Sequence, residues 1–518
     1  MGTELGGRDM FPENFNQKEY ESSNLSIQAF GKRLYKDQTV YEYLLEFLLV
    51  FCSPKEKIVN GERTEYRGEL SFHKDSNQLQ YYANPRIGLK RFIFFEKSKK
   101  EGKFPIDREN YQDIKEMLKE SIHIDGSGEP EDFAAILQDA FYGFSAILKN
   151  RSWFAQSLLP IAPELIFCES IGNKGKRTKL ELNAESNKTE KDFEFTQHSF
   201  MARGGELYYL SILLGLEGKK ELREPLERQL HQLVHAVGSL GQLGEFIQKK
   251  WEVHEGIQRE KQMQKYVCDF IPKGYKRRAE YNCQELVNLL SASLNELDKI
   301  EYLGMGMMLQ IFRMMHEQAC IRAGIEDPVW LLDVSRGNKN IRKMSERSFL
   351  EFGEALTAAN IVGLQNIESI RSGAAKYKKY EPDETFEMKL KEDAEKNTFG
   401  VVKALGKEIC FVVPKKGASE RMTLSEDLIS FLVMALLKPN QKVTLDTFYQ
   451  KLYEHYGIVI GGKQSGLYSS QKHIGQNYEI DFRENEKGFL QLLRDSGYLR
   501  ELSDATAIVM NPYEGNRI

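Results

Sequence analysis

Between about Asp107 and Ala375 apolar residues recur at helical spacing, and no other feature limits the fold as much. A stretch that long, with that period, commits about half the chain to helices packed on helices. Separate helices are expected around 220–237, 240–265, 279–298, 303–323 and 343–360. No unit of 20–50 residues repeats along them, which argues against a solenoid. Pro130 suits the first turn of a helix reaching toward Leu148, whereas Pro160 and Pro163 break the segment that follows. The polar run Gly172 to Lys191 reads as a loop or exposed hairpin.

Before this stretch the pattern is mixed. Residues 1–36 read as a loose arm. Tyr41, Leu44, Leu45, Leu48 and Leu49 then form one helical stripe. Thr64–Phe72 and Gln78–Tyr82 flank the turn-prone Lys74-Asp75-Ser76-Asn77, and Arg91 to Phe95 reads as a third strand. The expected organisation is a small α+β piece over 1–106, a helical middle over 107–375, a charged linker or charged helix over 376–398, and a last part over 399–518. Phe399–Val402 and Ile409–Val413 are expected to be short strands meeting over Gly406.

The last part carries the clearest order of elements. A helix is expected from Ser425 to Leu437, then the turn Lys438-Pro439-Asn440-Gln441, then a helix capped by Thr444 and running through Tyr453. A third helix spans Glu484 to Ser496 with Gly497 as its stop. Two strands, Tyr498–Leu502 and Ala507–Met510, flank the turn Ser503 to Thr506. Three helices followed by a two-stranded wing resemble the winged-helix family over roughly 420–512, with 457–482 as an insertion. The fold class is therefore mainly α: a small α+β N-terminal piece, a helical middle and a C-terminal winged helix. That resemblance implies DNA reading through Lys and Arg at the start of the third helix and on the wing. Here residues 415–518 hold 13 basic and 13 acidic residues, and the third helix opens on Arg483, Glu484, Glu486 and Lys487. Affinity for DNA is largely phosphate neutralisation, so this balance favours contact with protein over contact with bases.

Charge and motifs remove other classes. The chain has 72 basic and 76 acidic residues, a net charge of −4, which excludes a histone-like polycation. Its longest apolar run, Leu44 to Phe51, is too short for a bilayer and is interrupted by Glu46, so no membrane is expected. Met1 to Tyr20 shows no basic segment followed by an apolar one, and Cys52, Cys168, Cys268, Cys283, Cys320 and Cys410 form no CxxC. Free thiols in the cytoplasm are the expectation. Gly457 to Gln464 matches GxxxxGK, but Gln464 stands where a phosphate loop needs Ser or Thr, and Gly172 to Thr178 fails on spacing. His231 and His235 share a helix face without the Glu of HExxH and without a third ligand. Glu69, with Glu96 ahead of Lys97 and Lys99, approximates a nuclease core with the lysines misplaced. Neither a cofactor nor a metal is expected. Met305, Met307, Met308, Met314 and Met315 fit pliable core packing or a soft partner groove.

Basic residues cluster at Lys273-Gly274-Tyr275-Lys276-Arg277-Arg278, from Arg336 through Lys339 and Arg342 to Lys343, and at Lys376-Tyr377-Lys378-Lys379-Tyr380. Two more clusters are Lys97, Lys99, Lys100 and Lys103, and Lys174, Lys176, Arg177 and Lys179. The 455–478 insertion holds Lys463 and Lys472 and no acid. Converging clusters would form a phosphate-binding surface with tyrosines to stack on bases. The candidate nucleic-acid contacts are Lys273, Lys276, Arg277, Arg278, Arg336, Lys339, Arg342, Lys343, Lys463 and Lys472. A Lys/Glu-rich chain with this ending also resembles accessory proteins of bacterial phage-defence operons. That resemblance implies a non-catalytic scaffold or adaptor bridging a catalytic protein subunit, an ATPase or nuclease, and DNA. The alternatives are a winged-helix DNA-binding regulator and a metal-dependent nuclease with a non-standard site.

Overall fold

In the computed structural model the apolar spacing of the middle segment resolves into packed helices. The structure describes residues 9–13, 17–59, 61–73, 79–94, 105–122, 129–143, 145–146, 157–158, 162–166, 204–256, 258–326, 329–335, 337–472, 478–501 and 507–515. At the centre lies the helix Glu296–Ala323, capped by the Asn295 side chain and stopped by a left-handed Gly324. It is buried on nearly every side, as a helix enclosed by other helices must be. Val40–Cys52, Lys276–Ser291, Lys339–Val362 and Glu426–Leu436 pack on it. Gly204–Gly215 fills the space between Val40–Cys52 and Lys276–Ser291. The chain is mainly α with a small α+β part.

That part is an antiparallel sheet ordered Glu62–Tyr66, Lys55–Val59, Leu79–Ala83, Gln264–Cys268. Tyr81 stands opposite Tyr266, with the rings stacked at 5.1 Å. The fourth strand comes from the middle of the chain, where the apolar spacing predicts the end of a helix over 240–265. The helix there is Gly238–His254. Arg91 to Phe95 is not the third strand. Ile87–Phe94 is a helix, because Leu89, Phe92 and Ile93 fall on one buried face at helical spacing.

The 1–36 segment is not a loose arm. Met10–Phe11 pairs with Ile271–Pro272, and the short helix Leu25–Phe30 buries Leu25, Ala29 and Phe30. The 376–398 segment is a docked helix over Glu384–Lys396, not a free linker. Phe386, Leu390 and Ala394 line its inner face against Leu25, Ile370 and Tyr377. Phe399–Val402 opens the helix Phe399–Glu408, and only Val412–Val413 is a strand, paired with Arg421–Met422. The Gly172–Lys191 run, the Lys74–Asn77 turn, Glu96 and the two lysine clusters at 97–103 and 174–179 lie outside the described residues. The Met305–Met315 methionines are buried, so they pack the core and offer no groove.

The C-terminal elements follow the expected order. Glu426–Leu436, Leu445–Tyr456 and Glu479–Asp495 are helices, and Thr444 caps the second of them. Strand Lys442–Thr444 pairs with Ala507–Met510, which pairs with Leu499–Glu501. Between the second and third helices come the strand Ile458–Val459 and the helix Gly462–Gln471. That strand runs parallel to Trp330–Leu331 of the body. No described helix is long and apolar enough to cross a membrane.

Candidate functional site

The basic clusters are largely consumed by carboxylates. Lys273 contacts Asp9 and Glu13 at 3.1 Å, and Lys276 contacts Glu217 at 3.0 Å. Arg342 pairs with Glu346 at 3.0 Å and Lys472 with Glu351 at 2.8 Å. Lys339, Lys343 and Lys463 are exposed and make no ion pair among the described residues. Arg336 lies outside the described residues. Paired exposed charges of this kind add little affinity for phosphates.

Arg277 and Arg278 behave differently. They sit in the first turn of Lys276–Ser291 and face a cavity of about 610 Å³. Arg278 is buried; it donates to Glu317 at 2.6 Å and to the carbonyls of Glu454 and His455. Arg277 is half exposed and contacts the other Glu317 oxygen at 3.4 Å. Tyr453, Gly457, Ser470 and Gln471 also line it, so this cavity joins the first basic cluster to the 455–478 insertion. A third guanidinium, Arg313, enters from the central helix and lies 5.4 Å over the Trp330 ring. Glu326 and Glu454 also line the cavity and balance the arginines. Such a mixed, aromatic-flanked cleft can hold a polar group carrying both donors and charge.

Gly457 permits this assembly. Its φ is +64°, and a Cβ there would sit 2.5 Å from Arg313 Nη1. Glycine alone meets both demands. The phosphate-loop spacing from Gly457 to Lys463 thus has a structural cause. The intervening Ile458–Val459 is committed to the strand beside Trp330–Leu331.

Behind the cavity lies a buried polar network. Glu285 accepts from His455 Nδ1 at 2.6 Å, from Tyr456 Oη at 2.5 Å and from Gln310 Nε2 at 2.5 Å. Burial first and Glu285 second push the Tyr456 hydroxyl far above its usual range, so it stays a donor. Trp330 Nε1 donates to His316 Nδ1 at 2.8 Å. Burial, then the charges of Arg313 and Lys472, hold the His316 imidazole neutral. These groups tie the central helix to the C-terminal elements.

No motif marks Arg313 in the sequence. Its signal was a lone arginine inside a run of methionine and leucine on the central helix. His231 bonds to the Gly68 carbonyl at 3.0 Å and lies against Phe51, and His235 bonds to the His231 carbonyl; both residues stay exposed at the surface. Glu69 is paired with Lys57 at 3.3 Å.

The start of the third C-terminal helix is occupied from within the chain. Asn338 donates to Asp481 at 2.8 Å and to Glu484 at 2.6 Å, and Asn340 donates to Asp481 at 3.0 Å. One turn on, buried Asn485 accepts from Val334 N and donates to the carbonyls of Leu332 and Ile460. Gly488 lets the helix approach the Val334 carbonyl, which a Cβ would meet at 2.0 Å. A second cavity of about 480 Å³ lies between Gly462–Gln471 and this helix. No family model, curated protein or solved structure matches the chain.

Proposed function

We propose that this chain is a scaffold or adaptor subunit of a bacterial multi-protein complex, of the phage-defence kind, acting in the cytoplasm. Its C-terminal elements read as a winged helix turned to protein contact, with an ATPase or nuclease as the catalytic partner. The order Lys442–Thr444, Ala507–Met510, Leu499–Glu501 in the small sheet supports the winged-helix reading.

One observation carries the adaptor reading: the start of the third helix is bonded to Asn338 and Asn340 through Asp481 and Glu484. A base reader offers that start to the major groove, and carboxylates there repel phosphates. The exposed side chains of Leu467 and Ile480, on the two helices beside the second cavity, suit an apolar protein contact instead. DNA, where it is held, meets the chain through phosphates at exposed Lys339, Lys343 and Lys463.

Selection of duplexes from a randomised pool tests this. Retained duplexes show no consensus, and their affinity falls steeply with salt. A consensus abolished by Arg483→Ala and Lys487→Ala would instead establish the DNA-binding regulator.

A further inference from the structure

Among the described residues one set of three metal-competent side chains comes together, away from the cavity above. Asp113 stands on the helix Pro105–Ser121. His254 is the last residue of the helix Gly238–His254, and Glu255 is its C-cap. One donor atom from each lies within 4.8 Å of the other two.

The backbone holds these donors in place. Ile114, beside Asp113, is fully buried, and Trp251, one turn before His254, is buried against Gly88. Glu255 N bonds to the Trp251 carbonyl at 3.0 Å, which fixes the turn carrying both His254 and Glu255. The end of a 17-residue helix adds partial negative charge at the same spot. Glu255 is buried, with its carboxylate 4.0 Å from His254 Nε2, while exposed His254 and half-buried Asp113 keep freedom to close on it. Bonds of about 2.0–2.2 Å to a shared ion bring donors to roughly 3–3.6 Å, a movement of about 1 Å that rotamer changes supply.

We propose that Asp113, His254 and Glu255 bind one first-row divalent cation of the Zn²⁺ type, clipping the two helices together. One imidazole nitrogen and two carboxylates match a borderline ion better than Mg²⁺ or Ca²⁺, which prefer oxygen alone. Three protein donors leave coordination positions open to water or to a further ligand. This site is independent of the adaptor reading and goes beyond it.

Calorimetric titration of the chelator-stripped full chain with Zn²⁺ tests the site. One equivalent binds, and Ca²⁺ in large excess fails to displace it. Asp113→Asn and His254→Gln each weaken binding at least about tenfold while leaving the melting temperature of the metal-free chain unchanged. Added Zn²⁺ raises the melting temperature of the unsubstituted chain and leaves that of the variants where it was. Equal Zn²⁺ affinity in the chain and both variants would mean adventitious binding at other histidines and overturn the proposal. Displacement by Ca²⁺ would overturn it as well.

Discussion

At the residue scale, Gly457 and His316 set the terms around the cavity. Gly457→Ala forces a left-handed backbone on alanine and drives a methyl into the Arg313 guanidinium. It costs about 1–3 kcal/mol, read as a lower denaturant midpoint at unchanged slope. His316 is held well below its usual 6.5 by burial, Arg313 and Lys472. The unfolded chain therefore takes up a proton that the folded chain refuses as pH falls below about 6.5, and stability declines by about 1.4 kcal/mol per pH unit from this group. His316→Gln keeps an acceptor for Trp330 Nε1 and cannot titrate, so its stability profile between pH 6.5 and 5 is flatter than that of the parent chain. Arg277 and Arg278 were legible as charge in the sequence. Arg313 was not, because its role depends on the Trp330 and Gly457 contacts that tertiary packing supplies. The Asp113, His254 and Glu255 grouping is equally hidden: Asp113 is about 140 residues from the adjacent His254 and Glu255, and the three share no motif.

At the scale of elements, the C-terminal helices and strands were readable because each carries its own punctuation. Thr444 caps one helix, and Gly457 and Gly497 adopt the left-handed stops. Sequence pattern and structure part where an apolar run fits two periods. Phe92 to Phe95 is continuous enough for a buried strand, yet Leu89 completes a helical face. The strand Gln264–Cys268 carries no local signal of its own, because its partner Leu79–Ala83 is about 185 residues away, and the helix expected over 240–265 overlaps only its first two residues. The docking of the third C-terminal helix had no sequence signal beyond a buried Asn485. Asn485→Ala leaves Val334 N, Leu332 O and Ile460 O without their side-chain partner and costs about 3 kcal/mol. Faster hydrogen exchange around Trp330–Val334 and Ile458–Ile460 is the accompanying signature. Leu467→Glu with Ile480→Glu leaves stability within about 0.5 kcal/mol, since both side chains are exposed, and lowers recovery of the protein partner.

At the scale of the whole molecule, one hydrophobic cluster runs from Phe11 to Val509 and joins segments that composition separates. The 376–398 run reads equally as a linker or a charged helix because its charges dominate. Three apolar side chains at four-residue spacing, Phe386, Leu390 and Ala394, were enough to dock it. The near balance of charge likewise takes its meaning from placement: the cluster at 273–278 meets carboxylates of this same chain, whereas in the 336–343 cluster only Arg342 is paired among the described residues. The proposed adaptor role rests on this placement of charge. The most direct measurement is the native mass of the assembly purified from its own host at moderate salt after exhaustive nuclease treatment. A defined mass above that of this chain, containing a stoichiometric ATPase or nuclease and dispersed by Leu467→Glu with Ile480→Glu, is the predicted result. Recovery of the chain alone, with every co-purifying protein released by the nuclease, would contradict the account.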